Sequence, residues 1–374
     1  MKKIILPALF ALLLLNSNLF SQESGQKKVL LNYDDSDYES VWKLAIRPSN
    51  GIKNGDIGEY VFLKDPIYSD DKLSYLDWQF TPEYYFSLGV DSGYKSFKFG
   101  LNLWTAIPTA CGKIQDYDWL NNYYGTGADQ VIATSGYDYL TNYSESDNYI
   151  SHDVGFSVNA GWDFEIAKVL HINPFAAFEM SETKFTAKGG HASYGQGVAG
   201  TYIDDDGNIL SATDHFYPYN DSDSSHVTEH DWGSSKKVLS YKRDLYLVWI
   251  GLNLDYTIPQ QWTLHRPLTV KAGFSASPYV YAFNEDFHYL TNMYYADVCE
   301  GFFKAFKINA GLYYGITRKL SVNFDFSYFI LNEIRGESYY RSSGSKTWSH
   351  SKDSEGGADA KWFDISTGVK YIFF

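Results

Sequence analysis

The last twelve residues read Phe363-Asp364-Ile365-Ser366-Thr367-Gly368-Val369-Lys370-Tyr371-Ile372-Phe373-Phe374. Phe363, Ile365, Thr367, Val369, Tyr371 and Phe373 fall on one face, and Asp364, Ser366, Gly368 and Lys370 fall on the other. A period of two belongs to an extended strand that meets an apolar medium on one side and a polar one on the other. The same alternation runs through Leu320, Val322, Phe324, Phe326, Tyr328 and Ile330, through Val154, Phe156, Val158, Ala160 and Trp162, and through Phe306, Ile308, Ala310, Leu312 and Tyr314.

About ten such segments can be traced, near residues 41–63, 72–88, 94–108, 148–166, 169–187, 239–258, 263–283, 300–316, 319–340 and 357–374. Short connections, at Asp91-Ser92-Gly93, Ala167-Lys168, Pro259-Gln260-Gln261 and Thr317-Arg318, alternate with long polar ones. Short turns on one side and long loops on the other are the pattern of an outer-membrane barrel, periplasmic and extracellular respectively. A secreted β-sandwich also alternates, but it gives no reason for that regular exchange of loop lengths or for an aromatic last residue. The expected fold is therefore all-β: a ten-stranded antiparallel transmembrane β-barrel with long extracellular loops.

Composition agrees. Of the 374 residues 18% are aromatic and only 20% charged, which excludes a disordered chain, and the Tyr and Trp surplus suits the interfacial girdles of a barrel. A net charge of −14 disfavours any partner held through phosphates, so nucleic acid is not expected. Lys2 and Lys3 precede an uncharged run from Ile4 to Leu15, which reads as a secretory signal peptide over residues 1–21, with cleavage after Ser21, leaving residues 22–374 as a single barrel domain. No later window approaches the ~20 apolar residues of a membrane helix.

Two acidic pairs fall just past the third and seventh segments: Asp116-Tyr117-Asp118-Trp119 and Asp286-Phe287-His288. Residues two apart on an extended backbone point the same way, with Cα atoms roughly 7 Å apart. Two carboxylates that close resist simultaneous ionisation, so one holds its proton more tightly than a free Asp. An Asp beside a His fixes the tautomer and stabilises the imidazolium, leaving the other ring nitrogen to take a proton from water. Facing each other across a barrel mouth, the pairs would bracket a water and drive hydrolysis. From spacing alone, solvated turns, a cation site or a basic-peptide site remain open; a metal centre is disfavoured by a single His and the lack of dense ligand spacing, and no cofactor is called for.

With these residues in view, the chain resembles the omptin family of outer-membrane endopeptidases, ten-stranded barrels that cut polypeptides next to basic residues. Leu76-Asp77-Trp78, Ile114-Gln115-Asp116-Tyr117-Asp118-Trp119, Phe185-Thr186-Ala187-Lys188-Gly189-Gly190, Asp286-Phe287-His288 and Thr367-Gly368-Val369-Lys370-Tyr371 resemble family motifs, in the family's order. The resemblance implies a water held between an Asp116–Asp118 couple and a dyad in which His288 is the general base and Asp286 orients it, at the extracellular rim. It also implies that Glu59 binds the basic side chain before the cut bond. A second acidic position of the family is Asn284 here, for which neighbouring Glu285 would compensate, and the family's basic lipopolysaccharide-binding position aligns with Glu182. Expected partners are cationic polypeptide substrates and outer-membrane lipid. The alternative is a non-catalytic barrel serving as an adhesin or a small channel; a lipid-modifying hydrolase is weaker, because no Ser motif accompanies His288.

Two smaller features remain. Cys111 and Cys299 flank the two acidic motifs and, in an exported chain, either pair or stay free. The segment from His191 to Lys237 carries Asp204-Asp205-Asp206-Gly207-Asn208, Asp221 and Asp223, a solvated acidic loop more readily than a Ca²⁺ site because the remaining calcium-loop spacing is absent.

Overall fold

The computed structural model describes residues 42–64, 71–122, 138–203, 209–259, 263 and 266–373. The signal segment, part of the loop after residue 122, Asp204-Asp205-Asp206-Gly207-Asn208 and the Gln260-Gln261 turn lie outside them. Strand segments make up nearly all the described chain: β1 (Trp42–Leu63), β2 (Lys72–Tyr94), β3 (Phe97–Ala106), β4 (Thr109–Asp118), β5 (Asn142–Trp162), β6 (Phe164–Ala167), β7 (Leu170–Gly195), β8 (Gly197–Ile203), β9 (Ile209–Phe216), β10 (Val227–Ile258), β11 (Leu268–His288), β12 (Met293–Gly301), β13 (Ala305–Gly315), β14 (Leu320–Ser342) and β15 (Ser349–Ile372).

Their pairing closes on itself. Every pair is antiparallel; β1 bonds to β2 on one side and to β15 on the other, and the ring runs through β3 with β4, then β5, β7, β10, β11, β12 with β13, and β14. Counting β3 with β4, β5 with β6, and β12 with β13 as single staves gives the ten expected strands. Closure leaves the ring itself without an open edge among the described residues, the condition lipid imposes on a sheet because it offers no partner to a free N–H or C=O.

One half of the cylinder carries a continuous outward apolar band. Tyr84, Phe86 and Leu88, Ile250, Leu252, Leu254 and Tyr256, and Val322, Phe324, Phe326 and Tyr328 are all exposed on the outer face at every second position. Inside, the band encloses a polar cavity of about 450 Å³ lined by Arg47, Lys98, Asp255, Lys271 and Asp325 among others. Nearer the loop end the lumen is packed. Trp78 stacks on Phe185 (5.8 Å) and Tyr241 (5.2 Å), and Phe329 stacks on Trp362 (3.9 Å), in one cluster with Phe80, Trp249 and Leu247. Beneath this layer Lys53 bonds Glu83 and Asp153.

Several expected boundaries move. The fourth, fifth and sixth strands begin or end well beyond the apolar belt, at Asn142, Gly195 and Val227, because their backbones stay paired where both faces meet water and apolar alternation stops. Much of the expected acidic loop from His191 to Lys237 is thus strand, with β8 and β9 forming a separate hairpin. Asp91-Ser92-Gly93 belongs to β2, and the chain turns at Lys95-Ser96, where Lys95 takes a φ of 55° and Tyr94 packs on Trp42. Likewise the connection after the seventh strand is a tight turn over residues 289–292, closed by Asn292 at φ 57°, and not a long loop. Two staves are interrupted: one at Ile107-Pro108, where Pro has no N–H for the ladder, and one at residues 302–304, with Phe303 at φ 54°.

The Gly189-Gly190 pair has a local reason. Both sit at positive φ (62° and 109°) beside a register shift in the β5–β7 ladder, and a Cβ on Gly190 would lie 1.9 Å from the Glu145 carbonyl oxygen. Cys111 and Cys299 are both buried and both free thiols. Trp78→Ala, which empties the middle of the aromatic layer, is expected to cost about 3–5 kcal/mol of stability, read as a lower midpoint of denaturant unfolding in detergent.

Candidate functional site

Two walls of the cylinder above the packed layer carry the acidic motifs. On one wall, Ile114, Asp116 and Asp118 share the inward face of β4, and Gln115 and Tyr117 take the other face. The register pairs Asp116 with Leu76 and Ser144, and Asp118 with Ser74 and Asn142. Leu76 stands eight positions along β2 from Tyr84 at the edge of the apolar belt, roughly 25 Å of extended strand. The site is therefore well clear of the lipid zone.

On the opposite wall, Ala282, Asn284 and Asp286 are buried along the inward face of β11, and half-buried His288 follows at its end. Asp286 is paired with Tyr241 and Tyr295 of the flanking strands. The His288 Nε2 and Asp286 Oδ2 are 2.5 Å apart, and the Tyr295 ring packs edge-on against the imidazole at 4.9 Å. With Nε2–H donated to the carboxylate, Nδ1 is the nitrogen left to accept a proton.

Electrostatics join the walls. Burial and the charge of Asp118 hold the Asp116 carboxyl well above its usual range; Asp286 adds to this and His288 works against it. Burial raises Asp118 as well, opposed by hydrogen bonds from Ser74 and Asn142, the latter at 3.3 Å, and by His288. Burial would lower the His288 imidazole, but Asp286, by charge and hydrogen bond, and then Asp116 and Asp118 by charge hold it above the ordinary His range. Tyr194 of β7 faces the couple; its phenol is raised by burial and by both carboxylates. Asp116 Oδ1 is buried and has no hydrogen-bond partner among the described protein atoms. Two carboxyls raised by burial thus stand across the lumen from an imidazole that their charges raise in turn.

Of the residues expected to seat a basic side chain, Glu59 on β1 is 3% exposed and Asn284 on β11 is 0% exposed. Glu285 lies on the opposite face of β11 from Asn284 and Asp286, because successive strand residues point to opposite sides. Two residues that sequence reasoning missed lie beside them. Arg243 on β10 is 2% exposed, and Asp297 on β12, register partner of Asn284, is 3% exposed. Each had a faint signal: Arg243 interrupts the inward series Tyr241, Leu245, Leu247 and Trp249, and Asp297 shares a buried face with Cys299. Glu182 is bonded to His152 (2.7 Å) and Lys242 (3.1 Å). Asp221 and Asp223 are used in the turn leading into a short 3₁₀ segment, where Asp223 accepts from the Ser225 N–H.

The family model for the omptin family matches residues 41–217 and 209–373. The outer membrane protease OmpT from Escherichia coli is similar in structure, with a TM-score of 0.69 at 18% identity over 88% of this chain and 97% of that chain. The translocator domain of the autotransporter NalP from Neisseria meningitidis aligns at a TM-score of 0.31 and 7% identity over 90% of this chain and 91% of that chain, too remote to carry weight. Among curated proteins none matches the sequence.

An NMR titration of His288 is expected to give a pKa above the ordinary ~6.5, and Asp116→Asn, which removes one of the charges that hold the proton, should move it down. No movement on that substitution would separate the two walls electrostatically.

Proposed function

The chain belongs to the omptin family, and from that premise we propose that this outer-membrane protease hydrolyses peptide bonds with a water activated between Asp116–Asp118 and Asp286–His288. The observation that carries the assignment is the placement of Asp116 and Asp118 on the inward face of β4 and of Asp286 and His288, 2.5 Å apart, on that of β11, near enough for each wall's charges to act on the other. Those groups belong to strands that meet only through the closed ring.

The water sits between the walls, donating one hydrogen bond to Nδ1 of His288 and the other to the ionised carboxylate of the Asp116–Asp118 couple. As its oxygen attacks the peptide carbon, Nδ1 takes the proton, and Asp286 stabilises the imidazolium through Nε2. The couple's retained proton, aimed at the carbonyl oxygen, offsets charge developing there. When the C–N bond breaks, the imidazolium returns its proton to the leaving amine, so no covalent enzyme intermediate forms and the groups end as they began. Tyr194 stands beside the couple as a further donor.

The loop end, which carries this site, faces the cell exterior, and the turn end faces the periplasm. Outer-membrane lipid surrounds the apolar belt. The acidic balance of the whole chain draws cationic polypeptides toward the rim at long range. A channel role is not favoured, since the aromatic layer of Trp78, Phe185, Tyr241, Phe329 and Trp362 fills the lumen beneath the site.

Refolded protein is expected to cleave a peptide library, and His288→Ala should lower the rate about 10²–10⁴-fold. Because His288 must be neutral to act as base and its pKa is raised, kcat/KM should fall on acidification through a value above the ordinary ~6.5. Undiminished cleavage by the Ala variant removes the dyad from the mechanism.

A further inference from the structure

We propose that the polypeptide substrate binds by adding a strand to β10: the main chain that follows the cut bond pairs with the free upper edge of Val227–Trp232, in line with β11 above the Asp286–His288 dyad. The proposal rests on the peptidase reading above and says how that site takes hold of a main chain.

β10 stands taller than one of its two neighbours. On the β7 side its ladder continues up to Val227, the partner of Gly195. On the β11 side it ends at Leu239 opposite His288, closed by the Tyr289 N–H to the Val238 carbonyl (3.0 Å), where the chain turns into β12. Above Val238 no strand pairs with that side of β10 among the described residues. The ring is closed below this level, so the edge is free only where the wall meets water. One bond fixes which groups it offers. The Gln196 N–H donates to the His226 carbonyl (2.8 Å), which makes Gln196 and His226 a hydrogen-bonded pair. Such pairs alternate in an antiparallel ladder, so Thr228, His230 and Trp232 direct their N–H and C=O at β7, and Val227, Glu229 and Asp231 turn theirs to the free side. No other described backbone group bonds to those of Glu229 or Asp231. Thr228, Glu229, His230 and Asp231 are exposed in succession, on both faces, as in a projecting edge strand.

This edge borders the cleft. Register carries His230 across Ala192 and Ser144 to Asp116, and Thr228 across Tyr194 and Asn142 to Asp118, so it continues the wall of the couple. Along β7, from Ala187 opposite Leu239 to His191 opposite Asp231, it begins roughly 13 Å of strand above the dyad. A peptide paired here prolongs the line of β11. Antiparallel pairing, the kind found in both ladders of β10, runs that peptide upward with its N-terminal end at His288. The residues after the cut bond therefore lie on β10, and every second one directs its N–H and C=O at Glu229 or Asp231. Those main-chain bonds hold a polypeptide whatever its sequence. Side chains add a preference. Glu229 and Asp231 point outward and share His191, with Nε2 2.9 Å from Glu229 and Nδ1 3.0 Å from Asp231. Two carboxylates to one imidazole leave negative charge beside the outward side chains of the added strand, which favours Lys or Arg at those positions.

The test is a backbone N-methyl scan. A library peptide that wild type cleaves is remade with one N-methyl group at each residue after the cut in turn, and kcat/KM is measured in detergent. Losses of about tenfold or more should recur at every second residue, with the intervening ones little changed. Binding is read separately, by the anisotropy of a fluorescent peptide of alternating Lys and Thr added to His288→Ala. Methylating its Lys amides should weaken binding about tenfold relative to methylating its Thr amides. Asp231→Pro, which removes an N–H from the free side and none from the β7 ladder, should weaken it more than Asp231→Asn does. Losses without alternation, no binding of the peptide, or equal binding of its two methylated forms overturns the proposal even if no Asp231 variant folds. So does a cross-linked dimer that Asp231→Pro abolishes, since the edge then belongs to a second copy. Complete lack of cleavage, with the Lys-methylated peptide still the weaker binder, would defeat the peptidase reading and leave strand addition standing.

Discussion

Lipid offers no hydrogen bond to a peptide group, and that constraint shapes everything else in this molecule. It forces the chain into a ring in which β1 meets both β2 and β15, so each wall is fixed relative to the opposite one. The ladders do not stop where the apolar belt stops. β4, β5, β7, β10, β11 and β12 carry the same pairing upward, and the acidic residues ride on paired strand and not on a free loop. A site built this way is held by backbone hydrogen bonds on both sides, which suits chemistry that needs two groups at a fixed separation.

Holding several carboxylates and an imidazole in such a place is costly, and the structure shows what offsets the cost. Asp118 takes hydrogen bonds from Ser74 and Asn142, Asp286 bonds His288, and Arg243 stands against Glu59 and Asp297. The packed aromatic layer below excludes water from one side, so each charge acts at a lower effective dielectric than it would on a surface. The same burial raises both carboxyls of the couple, and across the lumen from them the charges of three aspartates raise the His288 imidazole.

Much of this was legible in the chain. Alternation at Leu320–Ile330 and Phe363–Phe373 marks lipid-facing strands because one side of each strand meets hydrocarbon, and Asp116, Asp118, Asp286 and His288 share inward faces because two residues make one strand period. Where lipid ends, the pattern ends with it, so the upper reaches of β5, β7 and β10 and the turn at Lys95 were beyond a periodicity argument. Contacts across the lumen were equally silent. Nothing in the order of residues announces that Arg243 meets Gly58 and Asp359, or that Asp297 lies beside Asn284, since those encounters depend on closure and register. Glu285, one step from Asn284 and Asp286, points to the other face of β11.

The proposed chemistry needs two walls that share one solvent molecule. A crystal structure of the refolded protein, determined near neutral pH, tests this most directly. It should show an ordered water at about 2.6–3.2 Å from both Nδ1 of His288 and a carboxylate oxygen of Asp116 or Asp118. An imidazole beyond roughly 6 Å from both aspartates, too far for one water to bridge, would contradict it.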